Sequence, residues 1–330
     1  MRLSLVGNKF LHKDIMVQTM ALLFRWCVMR FLLVFFSVLY APLVAAQQAQ
    51  FRMEKDAREW SFDVRWVDGQ SKRHKAQFAL PAARIQNDLS VPLQFQQRAA
   101  NVEIVRAVNA YGKSLKGVQV RARVSPGGKP QISASGKAGP ARKALREIKS
   151  IQKEALKKYL KRNGFTKLRG RVIPNHARYA RQYADQLGPV AAALGAGQLK
   201  RRQFAGRALS FVQAIPYEKG KNGTDKGFRL PLALLGKNRG DCDSKATLYL
   251  GLLRAAHPKL ETVMVYIKGH AFVGLGLQPK AGDMTFEAGG RKWVIAEPVG
   301  PAMPRLGDAA KNSKKKARQG KIAIRRVKPE

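Results

Sequence analysis

The sequence predicts an α+β fold: a buried helix packed on an antiparallel sheet, preceded by a β-rich domain and a basic helical linker. Apolar and polar residues alternate through 60–66 and 118–124 with the period of two of half-buried strands. From Lys245 to Ala255 the apolar residues cover most of a helical wheel, the pattern of a helix surrounded by core. After Pro258 the chain breaks into short apolar runs, two of them joined by Ala288-Gly289-Gly290-Arg291, a hairpin signal.

Residues 1–46 have the parts of a secretory signal peptide: Arg30, an apolar run over Phe31–Tyr40, a break at Pro42, and Val44-Ala45-Ala46 before the expected cleavage point. Met16, Met20 and Met29 are internal methionines, and the signal pattern fits a true start near Met29. The apolar segment is shorter than the roughly 20 residues of a full span, which implies a periplasmic or secreted protein. Anchoring in the inner membrane through an uncleaved signal is the alternative.

Residues 47–135 read as the β-rich domain. Trp60, Phe62, Val64 and Trp66 form one strand face, Asp68-Gly69 a turn, and Ala76–Leu80 a return strand. Gly, Pro, Ser and Lys over 125–140 suggest a linker. The basic helical linker, 136–200, contains helical periods over 141–163 and 177–194. The 201–305 region starts with a helix over 204–214, passes a Gly/Lys/Asn-rich loop at 218–227, and reaches the buried helix. Strands follow at 262–268, 271–277, 284–287 and 292–296. Residues 306–330, with Lys314-Lys315-Lys316 and Arg325-Arg326, read as a basic tail, mobile beyond Lys311, with 311–330 dispensable for folding.

The chain has 62 Lys and Arg against 21 Asp and Glu, a net charge of +41. Such a field attracts anionic envelope polymers or acidic partner proteins. The export signal argues against nucleic acid, and membrane contact is expected only through an uncleaved signal.

Of two cysteines, Cys27 falls before the signal run, which leaves Cys242 alone in the mature chain. A solitary thiol in an oxidising compartment calls for a purpose. Gly240 breaks the chain ahead of the buried helix and Asp241 is suited to cap it. Cys242 then lies in the first turn, where exposed N–H groups and the helix dipole favour a thiolate. The flanking Asp241 and Asp243 oppose that. A nucleophilic thiol needs a base and a group to hold it. His74 sits in a basic loop, His176 at a helix start and His257 at a helix end. His270 opens a strand, and Glu297 ends another on the face shared by Trp293 and Ile295.

Gly240-Asp241-Cys242-Asp243-Ser244-Lys245-Ala246, Gly269-His270-Ala271-Phe272-Val273, Trp293-Val294-Ile295-Ala296-Glu297-Pro298 and the lead-in Phe211–Tyr217 together resemble the transglutaminase-like superfamily of papain-like cysteine enzymes, over about residues 203–300. The family's usual third member is Asp before Pro, and here it is Glu297. The resemblance implies a papain-like core and a cysteine peptidase or amidase working through a thioester on a protein or peptide substrate. Cys242 would be the nucleophile, His270 the general base and acid, and Glu297 the orienting carboxylate. Transglutaminase-type acyl transfer and a non-catalytic basic binding module are the alternatives. The Cys242 N–H would supply one oxyanion donor, with Asn238, Gln213 and the Tyr217 hydroxyl as candidates for the second. No cofactor is expected. Calcium near Asp241 and Asp243 is the one implied ligand, although two carboxylates fall short of its six to eight oxygens; a cap is the plainer role for Asp241.

Overall fold

The described residues form two larger antiparallel sheets and two separate hairpins. The computed structural model describes residues 48–91, 93–218 and 227–328, so the signal read over 1–46 and most of the 218–227 loop lie outside the described residues. The first sheet has the order β1 (Gln48–Lys55), β2 (Glu59–Val67), β3 (Arg73–Pro81). Trp60, Phe62, Val64 and Trp66 alternate into the core along β2 as expected. Their face packs on α6 (Arg201–Ala214): Trp66 meets the Phe211 ring edge-on at 5.4 Å and donates its Nε1–H to Ser210 Oγ at 3.0 Å.

The 47–135 segment holds more than strands. Helices α1 (Ala82–Ser90) and α2 (Gln97–Lys113) follow β3 before the hairpin β4 (Val118–Val124) and β5 (Pro130–Gly136). The stretch read as a linker at 125–140 is the turn and return strand of that hairpin. Next come α3 (Ala138–Arg162) and a small hairpin, β6 (Phe165–Leu168) with β7 (Arg171–Pro174). The single helix expected over 177–194 is two, α4 (His176–Gln182) and α5 (Gly188–Ala193), because Gly188-Pro189 restarts the chain. The first sheet and α4 to α6 share one core with the Cys242 helix, so no boundary at 135 or 200 separates that core.

A short helix, α7 (Pro231–Lys237), precedes α8 (Cys242–Ala256). Leu248, Leu250, Leu252 and Leu253 of α8 are all buried, as its all-round apolar pattern requires. Truncating any one to Ala costs about 2–5 kcal/mol. α8 packs on β8 (Thr262–Ile267) and β9 (His270–Leu275). The second sheet runs β10 (Thr285–Ala288), β11 (Arg291–Ala296), β9, β8, β12 (Ala323–Val327), every pairing antiparallel. Its strands carry apolar residues on both faces. Met264, Ala271, Val273 and Val294 join the α8 core, whereas Val265, Phe272, Trp293 and Ile295 form a second cluster with Ala317 of α9 (Lys311–Arg318).

The 306–330 segment read as a mobile tail is therefore a structural part. β12 pairs along β8 from Ala323↔Tyr266 to Val327↔Thr262, and α9 covers the far face of the sheet. Among the described residues no helix is long and apolar enough to cross a membrane.

Candidate active site

The start of α8 is held from three directions. Asp241, in extended backbone, caps the helix: its Oδ1 accepts from the Ser244 amide at 2.8 Å and from Ser244 Oγ at 2.5 Å. Ser244 Oγ in turn accepts from the Arg229 amide at 2.8 Å. Tyr217 and Gly240 form a parallel bridge, with Gly240 N donating to Pro216 O at 3.3 Å and Glu218 N to Gly240 O at 3.1 Å. Cys242 is thus placed at the first position of the helix, 5 % exposed, with its Sγ 3.6 Å from Asp243 Oδ1. The helix terminus favours the thiolate and the carboxylate opposes it.

His270 and Glu297 are brought together. Gly269, with φ of 72°, makes the left-handed turn that sends the chain from β8 into β9. Across that turn Ile267 pairs with His270. His270 Nε2 lies 2.5 Å from Glu297 Oε1. Glu297 is 2 % exposed, and its Oε2 accepts from Ser313 Oγ of α9 at 2.7 Å. The Gln213 amide donates to the backbone carbonyls of Glu297 at 2.8 Å and Pro304 at 2.9 Å. Both carboxylate oxygens and the backbone of Glu297 are therefore fixed. An ionised carboxylate only accepts, so Nε2 carries the proton and Nδ1 is the basic nitrogen of a neutral His270.

A second histidine ties the Cys242 helix to the strand end that carries His270. His176, 1 % exposed, places Nδ1 2.6 Å from the Tyr266 hydroxyl and Nε2 3.6 Å from Asp243 Oδ2. Phe228 meets its ring edge-on at 4.9 Å. Tyr266 directly precedes Ile267, the partner of His270, so this chain of contacts joins the first turn of α8 to the β8–β9 end of the sheet. Burial pushes the His176 pKa down to about 3, which keeps its ring neutral.

Sequence reasoning put His176 only at a helix start and left Ser313 in a tail. No local pattern marks either one, because both contacts are made by distant elements. Lys245 is a third unforeseen group. It is fully buried, its Nζ donates to the carbonyls of Gln213 at 3.1 Å and Ile215 at 2.7 Å, and burial lowers its pKa to about 7.

The oxyanion candidates separate. Gln213 uses its amide hydrogens on Glu297 and Pro304, which removes it as a donor to substrate. Asn238 ends α7 in left-handed backbone, and its side chain exchanges hydrogen bonds with Gln48 at 2.6 and 3.0 Å. Tyr217 lies beside Gly240, next to the helix start. Asp241 is a cap, the role its position indicated, and Asp243 faces Cys242 and His176. Among the described residues no group of three or more His, Cys, Asp or Glu is placed to hold a metal ion. Compared with known proteins, this chain matches no family model, no curated protein and no solved structure.

Proposed function

We propose that the protein is an exported cysteine peptidase or amidase of the transglutaminase-like type, with a papain-like core, acting on a protein or peptide outside the cytoplasm. The observation that carries this reading is the His270–Glu297 pair at 2.5 Å, half-buried histidine on buried carboxylate, at the sheet end to which the Cys242 helix is tied. His270 Nδ1 takes the Cys242 proton, and the sulfur attacks the amide carbon. The tetrahedral oxyanion accepts from the Cys242 N–H. The C–N bond breaks as His270 returns the proton to the departing amine, leaving a thioester. Water or a second amine then adds to the thioester carbon, gives its proton to His270, and expels the Cys242 thiolate. Glu297 holds the ring and stabilises the imidazolium throughout. Its extra methylene, relative to Asp, suits a carboxylate that must reach both His270 and Ser313.

The test is alkylation of Cys242 by iodoacetamide across pH. The wild-type thiol reacts below pH 7, whereas in His270→Ala reaction rises only near the ordinary thiol value of about 8.5. Identical profiles for the two proteins would end the catalytic reading. A fluorogenic peptide library then compares hydrolysis with transfer to an added amine. Cys242→Ala abolishes both, and Glu297→Gln lowers kcat by about 1,000–10,000-fold.

A second reading, a non-catalytic module for anionic envelope polymers or acidic partners, draws on the net charge of +41. It predicts that Cys242→Ala retains full function.

A further inference from the structure

A cavity of about 970 Å³ opens between the β2–β3 turn, one side of α6, and the loops around 280 and 304. Cys242, His270 and Glu297 are not among its lining residues, and the two places share one wall residue, Gln213, whose amide holds the Glu297 carbonyl. Three arginines (Arg202, Arg207, Arg305) and three lysines (Lys72, Lys200, Lys280) line it. Two carboxylates, Asp68 and Asp283, face them, and the walls keep an excess of positive charge.

Part of that charge is rigidly held. The Asp283 side chain is fully buried, 2.5 Å from an Arg202 nitrogen and 3.5 Å from one of Arg305. A second Arg305 nitrogen donates to the Gly282 carbonyl at 2.7 Å. The β2–β3 turn is pressed against the 303 loop, since a Cβ on Gly69 would run into the Met303 carbonyl. Met303 is itself buried in left-handed backbone, a strained conformation for a non-glycine residue that the surrounding contacts must impose.

His74 completes the lining. Its side chain is 6 % exposed, its ring stacks on Trp66 at 5.1 Å, and its Nε2 lies 2.7 Å from Asp68 Oδ2. Its Nδ1 is a buried polar atom with no hydrogen-bond partner.

We propose that this cavity is a binding site for a phosphate-bearing anion carrying more than one negative charge. Guanidinium forks match phosphate oxygens in pairs, and lysines add point charge around them. One carboxylate would leave most of these cations uncompensated, whereas a diphosphate or a phosphorylated headgroup engages several at once. The site is independent of the reading of Cys242.

The probe is inorganic pyrophosphate, titrated calorimetrically into the full chain at about 0.15 M salt, where diffuse surface attraction is screened. Saturable binding at one site is expected. Removing Arg207 and Lys72 together (Arg207→Ser, Lys72→Ser), neither of them paired to Asp283, weakens it by about tenfold or more. Removing two exposed lysines of α3 that do not line the cavity (Lys149→Ser, Lys153→Ser) leaves it within about twofold, because attraction between charges not in contact is screened at this salt. Thermal melts of both variants confirm that they fold. Binding that never saturates, or that falls equally in the two variants, overturns the site and assigns the attraction to net charge. Sedimentation with phosphatidylglycerol vesicles identifies the source. Vesicle binding that pyrophosphate displaces and the cavity variant loses points to a lipid headgroup. Vesicle binding indifferent to both points to a soluble phosphate compound.

Discussion

Two lysine-rich helices of this protein look alike on paper and do opposite work. Every Lys and Arg of α3 is exposed, and the residues the helix buries are Ala144, Ile148, Tyr159 and Leu160. Its apolar side closes over α2 and the β4–β5 hairpin, in clusters separate from the main core. α9 is a third as long and more densely basic, yet Ser313 and Ala317, one turn apart, are buried against the second sheet. Ser313 reaches Glu297, so a helix that reads as solvated supplies a partner to the candidate catalytic carboxylate. Charge content does not distinguish a periphery from a support; the small residues between the charges do.

The comparison can be broken most decisively by ending the chain at Ala310. That removes α9 and β12, uncovers Phe272, Trp293 and Ile295, and leaves β8 with an open edge. We expect loss of the cooperative thermal transition in calorimetry, a cost comparable with the whole stability of a domain, about 5–15 kcal/mol. A truncated protein melting within a few degrees of the full chain would return the segment to the status of a tail.

Ser313→Ala is a finer cut. It leaves Glu297 Oε2 buried without its donor, and we expect a loss of about 1–3 kcal/mol in urea denaturation. The same variant should move the pH profile of Cys242 alkylation, with Ser313→Thr restoring it. An unmoved profile beside lowered stability would make Ser313 structural only.

A basic residue inside the core behaves unlike those on α3. The folded pKa of His176, about 3, lies below its ordinary value of 6.5 because burial disfavours the imidazolium. The unfolded chain therefore binds the extra proton first. The contribution of a neutral His176 is fully present above about pH 6.5 and is lost as pH falls toward 3. Urea midpoints at pH 7 and 4.5 should differ less in His176→Gln than in the wild type. An equal acid loss in both would place the sensitivity elsewhere. The smallest effect is expected at α3, where Lys149→Ser with Lys153→Ser should stay within about 0.5 kcal/mol of the wild type in the same assay.

Legibility followed how much of a contact is local. Strand β2 and helix α8 declare themselves, since their burial follows their own period. Asp241 as a cap needs only the three residues after it. His270 and Glu297 were legible from strand position, because period two puts each at a strand end on a defined face. Helices α1 and α2 were not, as their buried positions are few and include Asp88 and Asn101. β12 hides Ile324 and Val327 among Arg325 and Arg326, and only pairing with β8 gives it direction. His176, Ser313 and Lys245 owe their surroundings to elements 16 to 90 residues away.

Glu297 precedes Ser313 in chain order, and β12 is the final strand of its sheet. During synthesis the far side of β9 and β11 must therefore wait, bare and adhesive, until the last helix and strand arrive. A nascent or clipped polypeptide stopping short of that point would present an aggregation-prone surface and an unsupported glutamate. The hydroxyl that steadies the imidazole–carboxylate pair is in this way the last of its partners to arrive.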